Sequence, residues 1–195
     1  MLFITFYEKE PIFDILPVHG TRFFKENRKQ LLYARIAFVE GEGFCFDLMK
    51  FERAPAVVEN GVLSEADSLS VVSFDFSANN IGPVFTALLN VEGRNAVYLD
   101  GHSEKSYSLS NVFTYGGEDE QGWYWGVRFE IGLCLLSSIY GIADYSPEDT
   151  VRGNIYAVLN EGPNAHFGAI SHFEEPSVFS KSNFTEFQIK RRWGG

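Results

Sequence analysis

The sequence predicts an all-β fold, an antiparallel β-sandwich of Greek-key or immunoglobulin-like type with roughly nine to eleven strands. Three observations support this prediction. Apolar and polar residues alternate over many short segments, clusters of Gly, Pro, Asn and Asp separate these segments, and no segment has the period of a long amphipathic helix. The length of 195 residues fits one domain, so we interpret residues 1–195 as a single β-sandwich domain.

Each strand follows from alternation with a period of two, which places every second side chain on the same face. The predicted strands are the apolar start of the chain and residues 32–38, 44–48, 72–76, 85–91, 96–99, 123–131, 151–159 and 184–189. Turn residues separate them at Glu40–Gly43, Asn79–Pro83, Glu92–Asn95, Gly116–Gly122 and Glu161–Asn164. The apolar segment Leu133–Tyr140 fits either a buried strand or a short helix, because periodicity does not separate the two.

The charge of the chain limits its partners. A net charge of −10 repels phosphate backbones and anionic lipid, so we expect neither nucleic acid nor a membrane as a partner. The apolar start runs directly into Glu8 and Glu10 without a basic leader, which is typical of a first strand. No segment approaches the roughly 20 apolar residues of a membrane span. The expected location is the cytoplasm.

No catalytic motif is present, so the sequence predicts neither enzyme activity nor a cofactor. The segment Gly101–Lys105 lacks the final glycine of a nucleophile elbow. The acids Glu118–Glu120 fit either a calcium site or a charged hairpin tip, so the metal ligands stay undetermined. A glycosidase remains an alternative, because spacing in sequence does not show which carboxylates face each other. A haem module with Met49 as axial ligand is a more distant alternative.

The aromatic content of 16% fits two interpretations: rings that build a core, or rings that stack on a sugar. Trp123 and Trp125 share a strand face with Val127, Phe129 and Ile131, so alternation assigns both tryptophans mainly to the core. Trp123 lies nearest the loop tip and is the better candidate for partial exposure.

The opposite strand face combines planar rings with hydrogen-bond donors. Tyr124 and Arg128 lie on one predicted strand, and Arg152, Asn154 and Tyr156 lie on another. A sugar site needs this mixture, because rings stack on C–H faces and guanidinium groups bind vicinal hydroxyls. An ordinary solvated face, with Arg128 paired to Glu130 or Arg152 to Glu148, is the alternative interpretation.

Four segments of the chain resemble motifs of one family. They are Asp67-Ser68 before an apolar strand, Asn90-Val91-Glu92, the strand that begins Trp123-Tyr124-Trp125, and Arg152-Gly153-Asn154-Ile155-Tyr156 followed by His166-Phe167. In this order they resemble the family 9-like carbohydrate-binding modules (CBM9-like domains), from about residue 30 to the end of the chain. The sequence departs from the family pattern at Ser70 and Val71, at Arg94, and at Ala169-Ile170, where the family has a tryptophan.

The resemblance implies a β-sandwich that binds a mono- or oligosaccharide without catalysis. The hypothesised ligand-binding residues are Trp123, Tyr124, Arg128, Arg152, Asn154 and Tyr156. The alternative is a structural or protein-interaction domain that kept the sandwich and lost sugar binding, for which a homodimer is one form.

Overall fold

A computed structural model of the chain describes residues 2–9, 11, 16–24, 32–59 and 61–191. These residues form fourteen strands and one short α-helix, α1 (Leu133–Tyr140), with a 3-10 turn at Lys181–Asn183. The strands are β1 (Leu2–Tyr7), β2 (His19–Gly20), β3 (Phe23–Phe24), β4 (Leu32–Val39), β5 (Gly43–Phe51), β6 (Leu69–Asp75), β7 (Phe85–Leu89), β8 (Asn95–Leu99), β9 (His102–Ser103), β10 (Ser110–Asp119), β11 (Gly122–Gly132), β12 (Thr150–Leu159), β13 (His166–Ala169) and β14 (Thr185–Arg191).

The all-β prediction is confirmed. The number of strands also agrees with the predicted nine to eleven when strands of only two residues are left out. Of the strands in the described residues, β2, β3 and β9 have only two residues each. The longer strands number eleven, the upper end of the predicted range. Two-residue strands are too short to produce an alternation pattern, so the sequence did not reveal them.

Eleven of the described strands form one curled sheet in the order β10-β11-β5-β4-β1-β14-β12-β6-β7-β8-β9. Beside this path, β13 pairs with β12 and β3, and β2 pairs with β4. The second half of the sheet contains a Greek-key order, because β6, β7 and β8 are consecutive and β12 returns to lie beside β6. Most pairs are antiparallel, but β1 is parallel to both β4 and β14. Alternation assigns faces and not strand directions, so the parallel pairs could not be read from the sequence.

The aromatic side chains build the core between the two halves of the sheet. Phe46 on β5 stacks on Phe129 of β11 with ring centroids 5.2 Å apart. Across the core, Phe44 lies 4.9 Å from Phe76, and Phe74 lies 4.9 Å from Phe187. Fully burying each such ring contributes about 1.5–3 kcal/mol. These phenylalanines therefore stabilise the fold by packing in its core.

The apolar segment Leu133–Tyr140, whose sequence fits either a strand or a helix, forms the helix α1. Its buried residues, Leu133 and Leu136, are three positions apart and so lie on one helical face. The helix ends at Gly141, whose φ of 69° is the left-handed conformation that glycine adopts without strain.

Candidate functional site

The outer side of β4, β5, β11 and β10 presents charged and aromatic side chains in register. Arg35 of β4 lies opposite Asp47 of β5, and Asp47 lies opposite Arg128 of β11. Phe113 of β10 lies opposite Arg128 and completes this row. We call this surface, with its neighbouring tyrosines Tyr33, Tyr115 and Tyr124, the arginine–tyrosine face.

Asp47 is the centre of the arginine–tyrosine face. Its Oδ2 lies 3.4 Å from Nη1 of Arg35 and 3.5 Å from Nη2 of Arg128. Its Oδ1 accepts a hydrogen bond of 2.6 Å from the hydroxyl of Tyr115. The Asp47 side chain is buried, whereas both guanidinium groups are partly exposed. Asp47 therefore orients two arginines whose side chains are partly exposed on this face.

Glycines allow two tyrosine rings to lie close to the sheet. A Cβ on Gly126 would lie 2.2 Å from Cζ of Tyr115, and a Cβ on Gly117 would lie 2.9 Å from the hydroxyl of Tyr124. Burial and the hydrogen bond to Asp47 raise the pKa of Tyr115, so this hydroxyl stays a donor. The two rings therefore lie close against the sheet and form an aromatic surface beside the arginines.

The aromatic surface continues across the neighbouring strands. The ring of Phe51 lies 5.7 Å from Tyr33 and 5.8 Å from Tyr124. Phe113 is 61% exposed and lies nearly parallel to Tyr115. Exposed rings next to fixed donors suit a ligand with alternating apolar and hydroxyl-bearing surfaces.

A cavity of about 220 Å³ opens on this face. Its floor includes Tyr33, Arg35 and Asp47, and the sides include Val18 and, from the β10–β11 turn, Gln121. Two strands and two connecting segments therefore shape one concave site.

The structure places two of the hypothesised ligand-binding residues on the arginine–tyrosine face, namely Tyr124 and Arg128. Arg128 pairs with Asp47, while the carboxylate of Glu130 accepts a hydrogen bond of 2.6 Å from Asn111. The sequence therefore indicated the correct face of β11 but not the acid that Arg128 contacts.

The two tryptophans of β11 differ in burial. Their assignment mainly to the core is correct for Trp125 and wrong for Trp123, and the prediction that Trp123 is the more exposed of the two is confirmed. Trp125 is 3% exposed and donates from Nε1 to Glu52 at 3.1 Å. Trp123 is 50% exposed and lies opposite Glu118, near the hairpin tip. Since alternate residues point to opposite sides, Trp123 projects away from the side that carries Tyr124.

The other three hypothesised residues lie elsewhere, which corrects the single site expected from the sequence. Arg152, Asn154 and Tyr156 lie on β12, and β5, β4, β1 and β14 separate β12 from β11. Arg152 is exposed and donates to the carbonyl of Phe184 at 3.3 Å. The six residues do not form one surface.

Asn154 and Tyr156 are fully buried because the chain that follows β13, with Phe173 and Val178, packs over this side of β12. Asn154 donates to the carbonyl of Asn183 at 2.8 Å and accepts from the backbone N–H of Ser171. The ring of Tyr156 packs against Phe167 with centroids 5.4 Å apart, and burial raises the pKa of its hydroxyl. Both residues support the fold and do not reach the surface.

The segments that resemble the family also have structural roles. Asp67 accepts from the side chain of Asn90 at 2.9 Å, which joins the Asp-Ser segment to the Asn-x-Glu segment. Gly153 is required because its Cβ would lie 2.4 Å from the ring of Phe74. Ile170, at the position of the family tryptophan, is buried in the main core.

Sequence reasoning missed Arg35, Asp47 and Tyr115. Arg35 and Asp47 are polar positions within otherwise apolar strands, and this alternation indicated that they face outward. Their contact with Arg128 depends on the neighbours of β5, which the sequence does not reveal.

The described residues contain neither a cluster of metal-binding side chains nor a helix able to span a membrane. Within residues 2–9, 11, 16–24, 32–59 and 61–191, no group of three or more His, Cys, Asp or Glu side chains could hold a metal ion. Over the same part of the chain, no helix is long and apolar enough to cross a bilayer.

The structure thus defines a β-sandwich whose outer face carries arginines and tyrosines, with a cavity at Tyr33, Arg35 and Asp47. No protein-family model matches the sequence, and the search of curated proteins found no significant match. Solved structures, in contrast, match over most of the chain.

Three of these structures are informative. A family 9 carbohydrate-binding module from Caldicellulosiruptor kristjanssonii in complex with cellotriose has a TM-score of 0.69 and 7% identity, over 98% of this chain and 95% of that one. A family 9 module from the same organism in complex with glucose has a TM-score of 0.68 and 7% identity, over 100% and 97%. A Bacteroides uniformis protein provisionally described as carbohydrate-binding has a TM-score of 0.67 and 15% identity, over 91% and 88%.

The protein therefore has the fold of the family 9 carbohydrate-binding modules. This confirms the fold that the sequence resemblance implied. The TM-scores of 0.67–0.69 establish the fold, and at identities of 7–15% the ligand has to be argued from the site.

Proposed function

We propose that this protein binds a mono- or oligosaccharide on the arginine–tyrosine face without transforming it. The observation that carries the proposal is Asp47, which holds Arg35 and Arg128 in place beside the exposed ring of Phe113 and the partly exposed ring of Tyr124. The shared fold supports it, because two proteins with this fold were solved with cellotriose and with glucose.

The chemistry of the face fits a sugar. The partly exposed guanidinium groups of Arg35 and Arg128 donate to hydroxyl oxygens, and their planar fork geometry suits neighbouring hydroxyls. The rings of Tyr124 and Phe113 offer apolar faces to the C–H side of a sugar ring. Because Asp47 fixes both arginines before the ligand arrives, little side-chain ordering is needed on binding.

The same geometry favours binding over hydrolysis. A glycosidase generally uses two carboxyl groups on either side of the scissile bond, one as an acid and one as a base or nucleophile. Asp47 is committed to two arginines and to Tyr115. A carboxylate held in this way acts as a positioning group for the arginines.

The proposal is tested by isothermal titration with glucose, cellotriose and a wider set of mono- and oligosaccharides. We expect Arg128→Gln to weaken the affinity about tenfold or more, the effect of losing a hydrogen bond to a charged group. Arg152→Gln is the matched control, since Arg152 is an exposed arginine on the other half of the sheet. Its affinity should stay within about twofold of the wild type, because exposed charges have small effects.

Two outcomes would contradict the proposal. One is a loss of affinity in Arg152→Gln but not in Arg128→Gln, with both variants folded by circular dichroism. The other is the absence of heat across the whole saccharide set for folded wild-type protein, which would favour the interaction-domain alternative.

A further inference from the structure

A second cavity lies on the opposite side of the molecule from the arginine–tyrosine face. It measures about 310 Å³ and lies between the outer side of β6, β7, β8 and β12 and the segment 176–179. We call it the loop pocket. It does not contain any of the residues assigned to saccharide binding above.

The floor and walls of the loop pocket are mainly apolar. Aliphatic side chains from three strands form the floor, namely Leu69, Val71, Leu88 and Val158. Aromatic rings form the sides, and those of Tyr98 and Phe179 lie 5.5 Å apart. Small-molecule sites in proteins are typically concave and apolar in this way, with a few polar groups that fix orientation.

Hydrogen bonds from one buried side chain hold the outer wall in place. Asn183 donates from Nδ2 to the carbonyls of Glu175 at 2.8 Å and Ser177 at 2.7 Å. Its Oδ1 accepts from the backbone N–H of Glu174 at 2.8 Å. Asn154 of β12 in turn donates to the carbonyl of Asn183, which ties the wall to the sheet. The pocket is therefore formed before any ligand enters.

The charges around the loop pocket favour a positively charged ligand. The lining contains one ionisable acid, the exposed Glu65, and no lysine or arginine. In the described part of the chain, no ion pair to Glu65 is found. The net charge of −10 adds to the attraction for a cation and repels an anion.

We propose that the loop pocket binds a small organic cation with a flat apolar body, for which an aryl-alkyl amine is the simplest form. The aromatic or aliphatic body occupies the space between the strand floor and the rings of Tyr98 and Phe179. The ammonium group lies at the mouth beside Glu65. This site is independent of the saccharide site, and its occupancy does not require that the saccharide proposal be correct.

The test uses two probes of nearly equal size and opposite charge, phenethylamine and 3-phenylpropionate, at millimolar concentration. Methyl NMR spectra should show shifts at Val71, Leu88, Val158 and Val178 with phenethylamine and much smaller shifts with 3-phenylpropionate. Glu65→Gln should weaken phenethylamine binding about two- to fivefold, the range for an exposed ion pair. Glu161→Gln, an exposed acid outside the lining, should leave the affinity unchanged.

A filling variant provides a second readout. Val178→Trp places an indole in the pocket from the partly exposed wall and should abolish phenethylamine binding while circular dichroism stays unchanged. The proposal is overturned by the absence of methyl shifts with phenethylamine, by equal binding of 3-phenylpropionate, or by undiminished binding to Val178→Trp. Shifts confined to the arginine–tyrosine face would overturn it as well.

Discussion

The ring of Tyr115 lies directly over Gly126, so close that residue 126 has no room for a side chain. A Cβ there would be 2.2 Å from Cζ of Tyr115 and 2.5 Å from its hydroxyl. This contact allows Tyr115 on β10 to cross β11 and donate to Asp47 on β5. One glycine therefore connects the packing of three strands to the orientation of the arginines.

We expect Gly126→Ala to displace Tyr115 and break its hydrogen bond to Asp47. The free energy of unfolding should fall by about 1–3 kcal/mol, the usual cost of overpacking. Urea denaturation followed by circular dichroism measures this change. Gly132→Ala on the same strand is the control, since its Cβ would lie 3.8 Å from the carbonyl oxygen of Glu42, an ordinary contact. Equal stability of the two variants would contradict the packing argument.

The two tryptophans of β11 should respond differently to the same substitution. Trp125→Ala removes a buried ring and its bond to Glu52, so the free energy of unfolding should fall by about 3–5 kcal/mol. Trp123→Ala removes a half-exposed ring and should change it by no more than about 0.5 kcal/mol. Urea denaturation of both variants tests the difference in burial, and similar losses would show that Trp123 belongs to the core.

The outer wall of the loop pocket should depend on Asn183. Asn183→Ala removes the hydrogen bonds to Glu174, Glu175 and Ser177, so stability should fall by about 3 kcal/mol at roughly 1 kcal/mol for each bond. Hydrogen exchange of the backbone amides at 174–179 should accelerate in parallel. Ser182→Ala is the control, because Ser182 is exposed and its hydroxyl contacts that of the neighbouring Ser180. Unchanged exchange at 174–179 would mean that Asn183 does not hold the wall.

Lys50 should make stability depend on pH. Burial lowers the pKa of Lys50 to about 8 from its ordinary 10.5, although Glu52 at 3.3 Å partly offsets this. Between these two values the unfolded chain binds the proton and the native protein does not, so this residue makes stability rise with pH. The lowered pKa means that the charged amine is less favourable in the native protein than in the unfolded chain even with Glu52 beside it, so Lys50→Met should be more stable than the wild type at pH 7.

The stability advantage of Lys50→Met should shrink by about 1.4 kcal/mol per pH unit above pH 8. Burial raises the pKa of Cys45 to about 12, which makes stability fall with pH above the thiol's ordinary 9.0. Both proteins carry Cys45, so the difference between their denaturation curves isolates Lys50. A difference that does not change between pH 7 and pH 10 would contradict the lowered pKa.

Much of the fold could be predicted because alternation reports on burial. Phe44 and Phe46, Phe74 and Phe76, and Phe129 stand at alternate apolar positions of predicted strands, as alternation predicts for inward residues, and all are buried. The helix α1 stayed ambiguous because an apolar run of eight residues satisfies either period. The site was predicted only in part, since Arg128 and Tyr124 were found without Arg35, Asp47 and Tyr115.

The sequence by itself determined which face of each strand points inward, because a period of two is a local property of the chain. Only the tertiary structure decided which strands are neighbours. It separated Arg152 from Arg128 by placing β5, β4, β1 and β14 between their strands. It also buried Asn154 and Tyr156 under the chain that follows β13, and it brought Asp47 between two arginines. These contacts join residues far apart in sequence, so no local pattern encodes them.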